Sequence, residues 1–179
     1  MKLTLLSLLL LASVSVAEQP SWTLADDKTV NLHSAAGAMQ LVDGGGSVVF
    51  AFPAAHEVRG AVLSEGHRCL LLLVDIERVA EGKPGFRPYD YGYLLRVRSD
   101  ATGLKVSRVL ERGIPPMNEL HRWVSELGAV SDDGSTALLK FGAANRDKAP
   151  YTMDYVWQTW DLDTPKVLGT GLTLQHGKR

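Results

Sequence analysis

Three stretches of this chain share one arrangement, in which polar residues and glycine are followed at once by an apolar run. "LVDGGGSVVFAF" sets Gly44 to Gly46 and Ser47 before Val48 to Phe52, and "VLSEGHRCLLLLVD" sets Ser64, Glu65 and Gly66 before Leu70 to Val74. "AVSDDGSTALLKFG" sets Ser131 to Gly134 before Leu138 and Leu139. Glycine and short polar side chains favour turns, whereas apolar runs of roughly four to eight residues between such turns favour strands. The chain is therefore expected to be mainly β, built of short antiparallel strands. "WTLADDKTVNL" adds a hairpin turning at Asp26, Asp27 and Lys28.

One segment has a different period. In "PPMNELHRWVSELG", from Pro115 to Gly128, Leu120, Trp123, Val124 and Leu127 recur at the spacing of one helical face. Asn118 can cap the start, and Gly128 can take the left-handed conformation that ends a helix. This spacing predicts one short amphipathic helix covering the sheet.

Two segments repeat an order of serine, acid, glycine, apolar strand, polar loop, Asp-Tyr and second strand. The first contains Ser64, Gly66, Asp90 and Tyr91, and the second Ser131, Gly134, Asp154 and Tyr155. Aligning Gly66 with Gly134 places the length difference in the loop, where insertions are best tolerated. In each second strand an alternating set shares one face: Tyr91, Tyr93, Leu95 and Val97 in one copy, and Tyr155, Trp157 and Thr159 in the other.

The second copy resembles a blade of the WD-repeat-like or prolyl-oligopeptidase-type β-propellers. Such blades open with Ser-x-Asp-Gly before an apolar strand and close with Trp-x-Asp-Leu-x-Thr-Gly. Ser131, Asp133, Gly134, Leu138, Leu139, Trp160, Asp161, Leu162 and Thr164 match that pattern over about residues 130–172. Pro165 stands where those blades carry glycine. A fainter copy, at about 62–100, contains Ser64, Glu65, Gly66 and Leu70. Propellers typically need four or more blades of about 40 residues each. A chain of 179 residues with two visible units of greater length is expected instead to form an antiparallel sandwich or open barrel of blade-like hairpins. A small or incomplete β-propeller is the alternative.

The first residues, "MKLTLLSLLLLASVSVA", combine Lys2, an apolar core and small residues before a cleavage point after Ala17. They are expected to be a signal peptide. Residues 18–179 would form a single β-rich domain, exported to the periplasm or the medium. The apolar core is shorter than the roughly 18 residues of a membrane span, so the mature form is expected to have none. A formal net charge of −1 gives no electrostatic reason to bind nucleic acid. Cys69 is the single cysteine, so no disulfide forms within the chain, and its strand-like setting predicts a buried, inert thiol.

The usual chemistries find little support. An EF-hand loop around Gly134 would have Ala129 and Lys140 at two ligand positions, and the Asp161 and Asp163 carboxylates lack further ligands nearby. His33, His56, His67, His121 and His176 are isolated in sequence, and His56 and Glu57 would point to opposite faces of a strand. No Gly-x-Ser-x-Gly elbow is present, and Gly44 to Ser47 lead into a strand rather than a helix. No metal and no cofactor are expected. A small secreted hydrolase using carboxylates or histidines remains the alternative to a non-catalytic binding protein.

The binding expectation rests on two loops at equivalent places in the copies. They gather Lys83, Arg87, Tyr89 and Tyr91 in the first, and Arg146, Lys148, Tyr151 and Tyr155, with Trp157 beyond, in the second. Aromatic and arginine side chains are common interface anchors, and exposed rings can stack on sugars. If the copies are neighbours, the loops form one rim for a protein or a cell-envelope polymer.

Overall fold

The computed structural model describes residues 19–35, 38–54, 56–76, 92–112, 122–145 and 152–171. The residues of the expected signal peptide, 1–17, lie outside this set. So do Lys83, Arg87, Tyr89, Tyr91, Arg146, Lys148 and Tyr151.

The described residues form three four-stranded antiparallel sheets, each a simple meander. The first contains β1 (Ser21–Thr23), β2 (Thr29–Ala35), β3 (Ala38–Asp43) and β4 (Val48–Ala51). The second contains β5 (His56–Leu63), β6 (Cys69–Ile76), β7 (Gly92–Asp100) and β8 (Gly103–Arg112). The third contains β9 (Arg122–Val130), β10 (Thr136–Asn145), β11 (Thr152–Asp161) and β12 (Lys166–Thr170). The only helical element among them is a one-turn 3-10 segment, Ala25–Asp27, in the β1–β2 hairpin.

Two apolar cores place the second sheet between the others. Leu70, Leu72, Val74, Tyr93, Leu95 and Val97 pack with Leu24, Val30, Leu41 and Phe52 of the first sheet region. On the opposite face, Cys69, Leu71, Leu73, Leu94 and Val109 pack with Val130, Ala137, Leu139, Phe141 and Leu162 of the third. Both faces of β6 are thus buried, which is why "CLLLLV" is continuously apolar rather than alternating. Each fully buried leucine in it contributes on the order of 1.5–3 kcal/mol.

Residues 122–130 correct the helix expectation. They form β9, paired antiparallel with β10, while the start of the expected helix lies outside the described residues. The pairing shifts register twice, leaving Ser125 and Gly128 as extra residues between successive partners. A β-bulge adds one residue to the two-residue repeat of a strand. Two in succession put Val124, Leu127 and Val130 three apart while all three face the same core. That spacing imitates a helical stripe, and the continuous hydrogen-bonding edge of β10 decides for strand. Gly128 marks a bulge rather than a helix end.

The Ser-acid-Gly turns follow one design. Ser64 Oγ accepts from the Arg68 and Cys69 N–H groups, and the Ser64 N–H donates to the Cys69 carbonyl. Ser131 Oγ accepts from the Thr136 N–H, and the Ser131 N–H donates to the Thr136 carbonyl. Within each turn, the residue three beyond the serine donates its N–H to the serine carbonyl and takes positive φ, +57° at His67 and +67° at Gly134. His67, one residue beyond Gly66, is therefore the counterpart of Gly134, which corrects the sequence alignment by one position. Asp133 Oδ1 holds the third-sheet turn by accepting from Ser131 Oγ, the Ser135 N–H and Ser135 Oγ.

An aspartate also precedes the last hairpin of each sheet and caps backbone donors in the turn. Asp43 accepts from the Gly45 and Ser47 N–H groups, Asp100 from Thr102, and Asp161 from the Asp163 and Thr164 N–H groups. Asp161 supplies the turn without glycine, so Pro165 fits just before β12. Asp161 ends β11 and Asp163 lies in the turn, so the two carboxylates do not share a strand face.

Candidate functional site

The outward face of the third sheet, opposite the shared core, carries the two residues of the expected rim that are described, Tyr155 and Trp157. Tyr155 stands there on β11 with 55% of its surface exposed, the most exposed large aromatic among the described residues. Alternation puts Trp157 on the same face, and β10 places Lys140 directly opposite Trp157. Lys140 Nζ lies 5.4 Å from the Tyr155 ring centroid and 5.6 Å from that of Trp157, within cation–π range. On its other side β9 brings Glu126, whose Oε2 is 2.9 Å from the same ammonium. Three adjacent strands thus hold Lys140 by one carboxylate and two rings.

Gly128 makes this arrangement possible. A Cβ there would stand 2.6 Å from Trp157 Cζ3 and 3.1 Å from Leu138 Cδ2, so only a glycine bulge leaves room for the indole. The helix expectation concealed Glu126 and Gly128, because it read Gly128 as a helix end and placed Glu126 within the helix rather than on a strand opposite Lys140. Lys140 carried no signal of its own. Its pairing with Tyr155 and Trp157 depends on strand register.

The remaining rim residues belong to segments 77–91 and 146–151. These segments follow β6 and β10, whose serine turns make them equivalent strands of adjacent sheets. They therefore leave from corresponding strand ends.

A second polar cluster lies at the junction of the first and second sheets. His56 Nδ1 and Tyr93 Oη are 3.1 Å apart, and the Arg108 guanidinium sits 4.4 Å above the Tyr93 ring and 5.8 Å from the Phe50 ring. Partial burial, then the Arg108 charge, lowers the His56 pKa from its ordinary value. Nearby, Arg59 Nη1 and Asp75 Oδ2 form an ion pair at 2.7 Å. Sequence reading treated His56 as isolated, since its neighbours come from β7 and β8.

A third cluster fastens the second sheet to the third. Buried Arg96 donates through Nη1 to the Gly134 carbonyl at 2.8 Å and to Asp163 Oδ1 at 2.7 Å. Cys69 beside it is fully buried, and desolvation pushes its thiol up to about 12 despite Arg96 and Arg98. That state suits packing rather than nucleophilic attack, because the thiolate is the reactive form. Among the described residues, no three His, Cys, Asp or Glu side chains are grouped to hold a metal ion. No helix among them is long and apolar enough to cross a membrane.

No protein-family model matches the chain, and no curated protein sequence matches it. Among solved structures, it is similar to Kuenenia stuttgartiensis hydrazine synthase, at 11% identity and a TM-score of 0.38. That match covers 82% of this chain and 56% of the other, so the chain spans little more than half of that protein's length.

Proposed function

We propose that this chain is an exported, non-catalytic binding protein. It holds a protein or cell-envelope polymer against the outward face of its third sheet, together with the loop segments 77–91 and 146–151. The observation that carries this reading is the exposure of Tyr155 beside a lysine already oriented by Trp157 and Glu126. An exposed aromatic on a regular strand offers contact area at low conformational cost, and a positioned ammonium adds a directional donor. Both suit a partner with flat apolar and acceptor groups. The resemblance to propeller blades agrees with this reading, since repeated sheets offer edges and loops for binding.

The test uses immobilised mature chain exposed separately to isolated peptidoglycan and to an envelope-protein extract. Replacing Tyr155 with serine, or Tyr89 and Tyr151 with alanine, is expected to abolish retention of one of them without altering the melting temperature. Unchanged retention in all variants refutes the reading.

A further inference from the structure

The sheets stack in one direction, with the same face of each turned toward the next. The serine turns equate Cys69 with Thr136, and therefore Leu71 with Leu138 and Leu73 with Lys140 along the equivalent strands. Across the ladders, Cys69 pairs with Arg98 and Thr136 with Asp161, so Leu94 corresponds to Trp157 and Gly92 to Tyr155. In the second sheet, Cys69, Leu71, Leu73 and Leu94 form the face covered by the third sheet. In the third sheet, Leu138, Lys140, Trp157 and Tyr155 occupy that same face, and there Tyr155 is exposed.

The covering layer in the second-to-third junction is a sheet presenting its opposite face. The first sheet has such a face turned outward. Its pairing places Asn31 and Val42, His33 and Gln40 on the side away from Val30, Leu32 and Leu41, with Val48 beside Val42. Val48 is 53% exposed, and it is one of three large hydrophobic residues exposed among those described. This face offers the exposed Val48 on the same side as the Asn31 amide and the His33 imidazole, groups able to meet Trp157, Lys140 and Glu126.

We propose that the outward face of the third sheet docks the outward face of the first sheet of a second copy of this chain. The proposal rests on the binding reading above and names that site's partner. It continues between chains the head-to-tail order already seen within one chain. Head-to-tail contacts either close into rings or run on as filaments. Two copies would double the three sheets, within the range of about 4–8 in which four-stranded sheets close radially.

The test measures the mass of the mature chain by sedimentation velocity from about 0.1 to about 100 µM. Tyr155→Arg and Val48→Arg each alter one exposed position, one per face; Tyr155→Ser and Val48→Thr serve if either arginine variant loses its strand signal in circular dichroism. The wild type is expected to self-associate, and each variant alone to do so about tenfold or more weakly. Mixing the two variants is expected to restore association, because each retains one sound face. A wild type that stays monomeric throughout overturns the proposal. Association broken by Tyr155→Arg but indifferent to Val48→Arg also overturns it while leaving the binding reading intact. If Tyr155→Arg changes neither association nor retention of any partner, both fall.

Discussion

The Gly66 N–H donates to Asp132 Oδ1 at 2.8 Å, tying the first turn of the second sheet to the first turn of the third. The Ala25 N–H donates to the His67 carbonyl at 2.7 Å and joins the first sheet to the second in the same way. Acids that read as local turn formers therefore have two separate tasks. Asp133 shapes its own turn, and Asp132 reaches the neighbouring one.

These tasks predict different costs. Asp132→Ala removes one exposed bond and is expected to lower stability by about 0.5–1 kcal/mol, whereas Asp133→Ala removes three and should cost about 1–2 kcal/mol. Urea denaturation of the two variants checks the order; equal losses would refute the division of roles.

The shared turn geometry predicts opposite effects at its two positive-φ positions. Gly134→Ala puts a Cβ 2.8 Å from both Arg96 Cδ and Cys69 Sγ, on a backbone at φ +67°. Left-handed strain and overpacking together should cost about 3 kcal/mol. His67→Gly relieves the same strain where an L side chain already bears it, and is expected to stabilise by up to about 1 kcal/mol. Thermal denaturation with matched chemical denaturation reads both signs.

Cys69 is expected to resist thiol reagents in the folded protein. With its pKa pushed to about 12, the thiolate fraction at pH 8 is about one in ten thousand, and the sulfur is shielded from solvent. Labelling by iodoacetamide should be slow in buffer and fast in urea. Fast labelling under native conditions would contradict the packing of the second and third sheets.

Two groups set two pH windows for stability. His56 has a folded pKa below its unfolded value, so the unfolded chain binds the proton more readily. Its contribution is present above about pH 6.5 and declines as pH falls through the folded value. His56→Gln should flatten the change in urea midpoint between about pH 7 and pH 5. Asp100 is held well below the ordinary carboxylate range by its bond to Lys105 and then by Thr102. Its contribution is present above about pH 4 and is lost at lower pH, and Asp100→Asn should flatten that acid limb.

The bulged strand offers a test of its own. Leu127 packs in the core between the second and third sheets, while Glu126 is exposed. Leu127→Asp should unfold the chain or cost at least about 3 kcal/mol, while Glu126→Gln should change stability by less than about 1 kcal/mol. A tolerated Leu127→Asp would mean that β9 does not cover that core.

Much of the fold was legible in the chain by itself, because turns and strands are local chemistry. Glycine and acids before apolar runs located the hairpins at Asp26, Asp43, Ser64 and Ser131, and alternation placed Tyr93, Leu95 and Val97 on one face. The setting of Cys69 indicated its burial. A pattern stops being readable where strand pairing inserts residues. Val124, Leu127 and Val130 obey a three-residue spacing only because β10 accepts two bulges. The meeting of Lys140, Tyr155, Trp157 and Glu126 was likewise beyond local reading, since hydrogen-bond register between three strands decides which side chains face one another. Composition and local preference determined that this chain makes turns and strands. Sheet register and stacking, which depend on contacts between residues distant in sequence, decided which faces are buried and which are left outward.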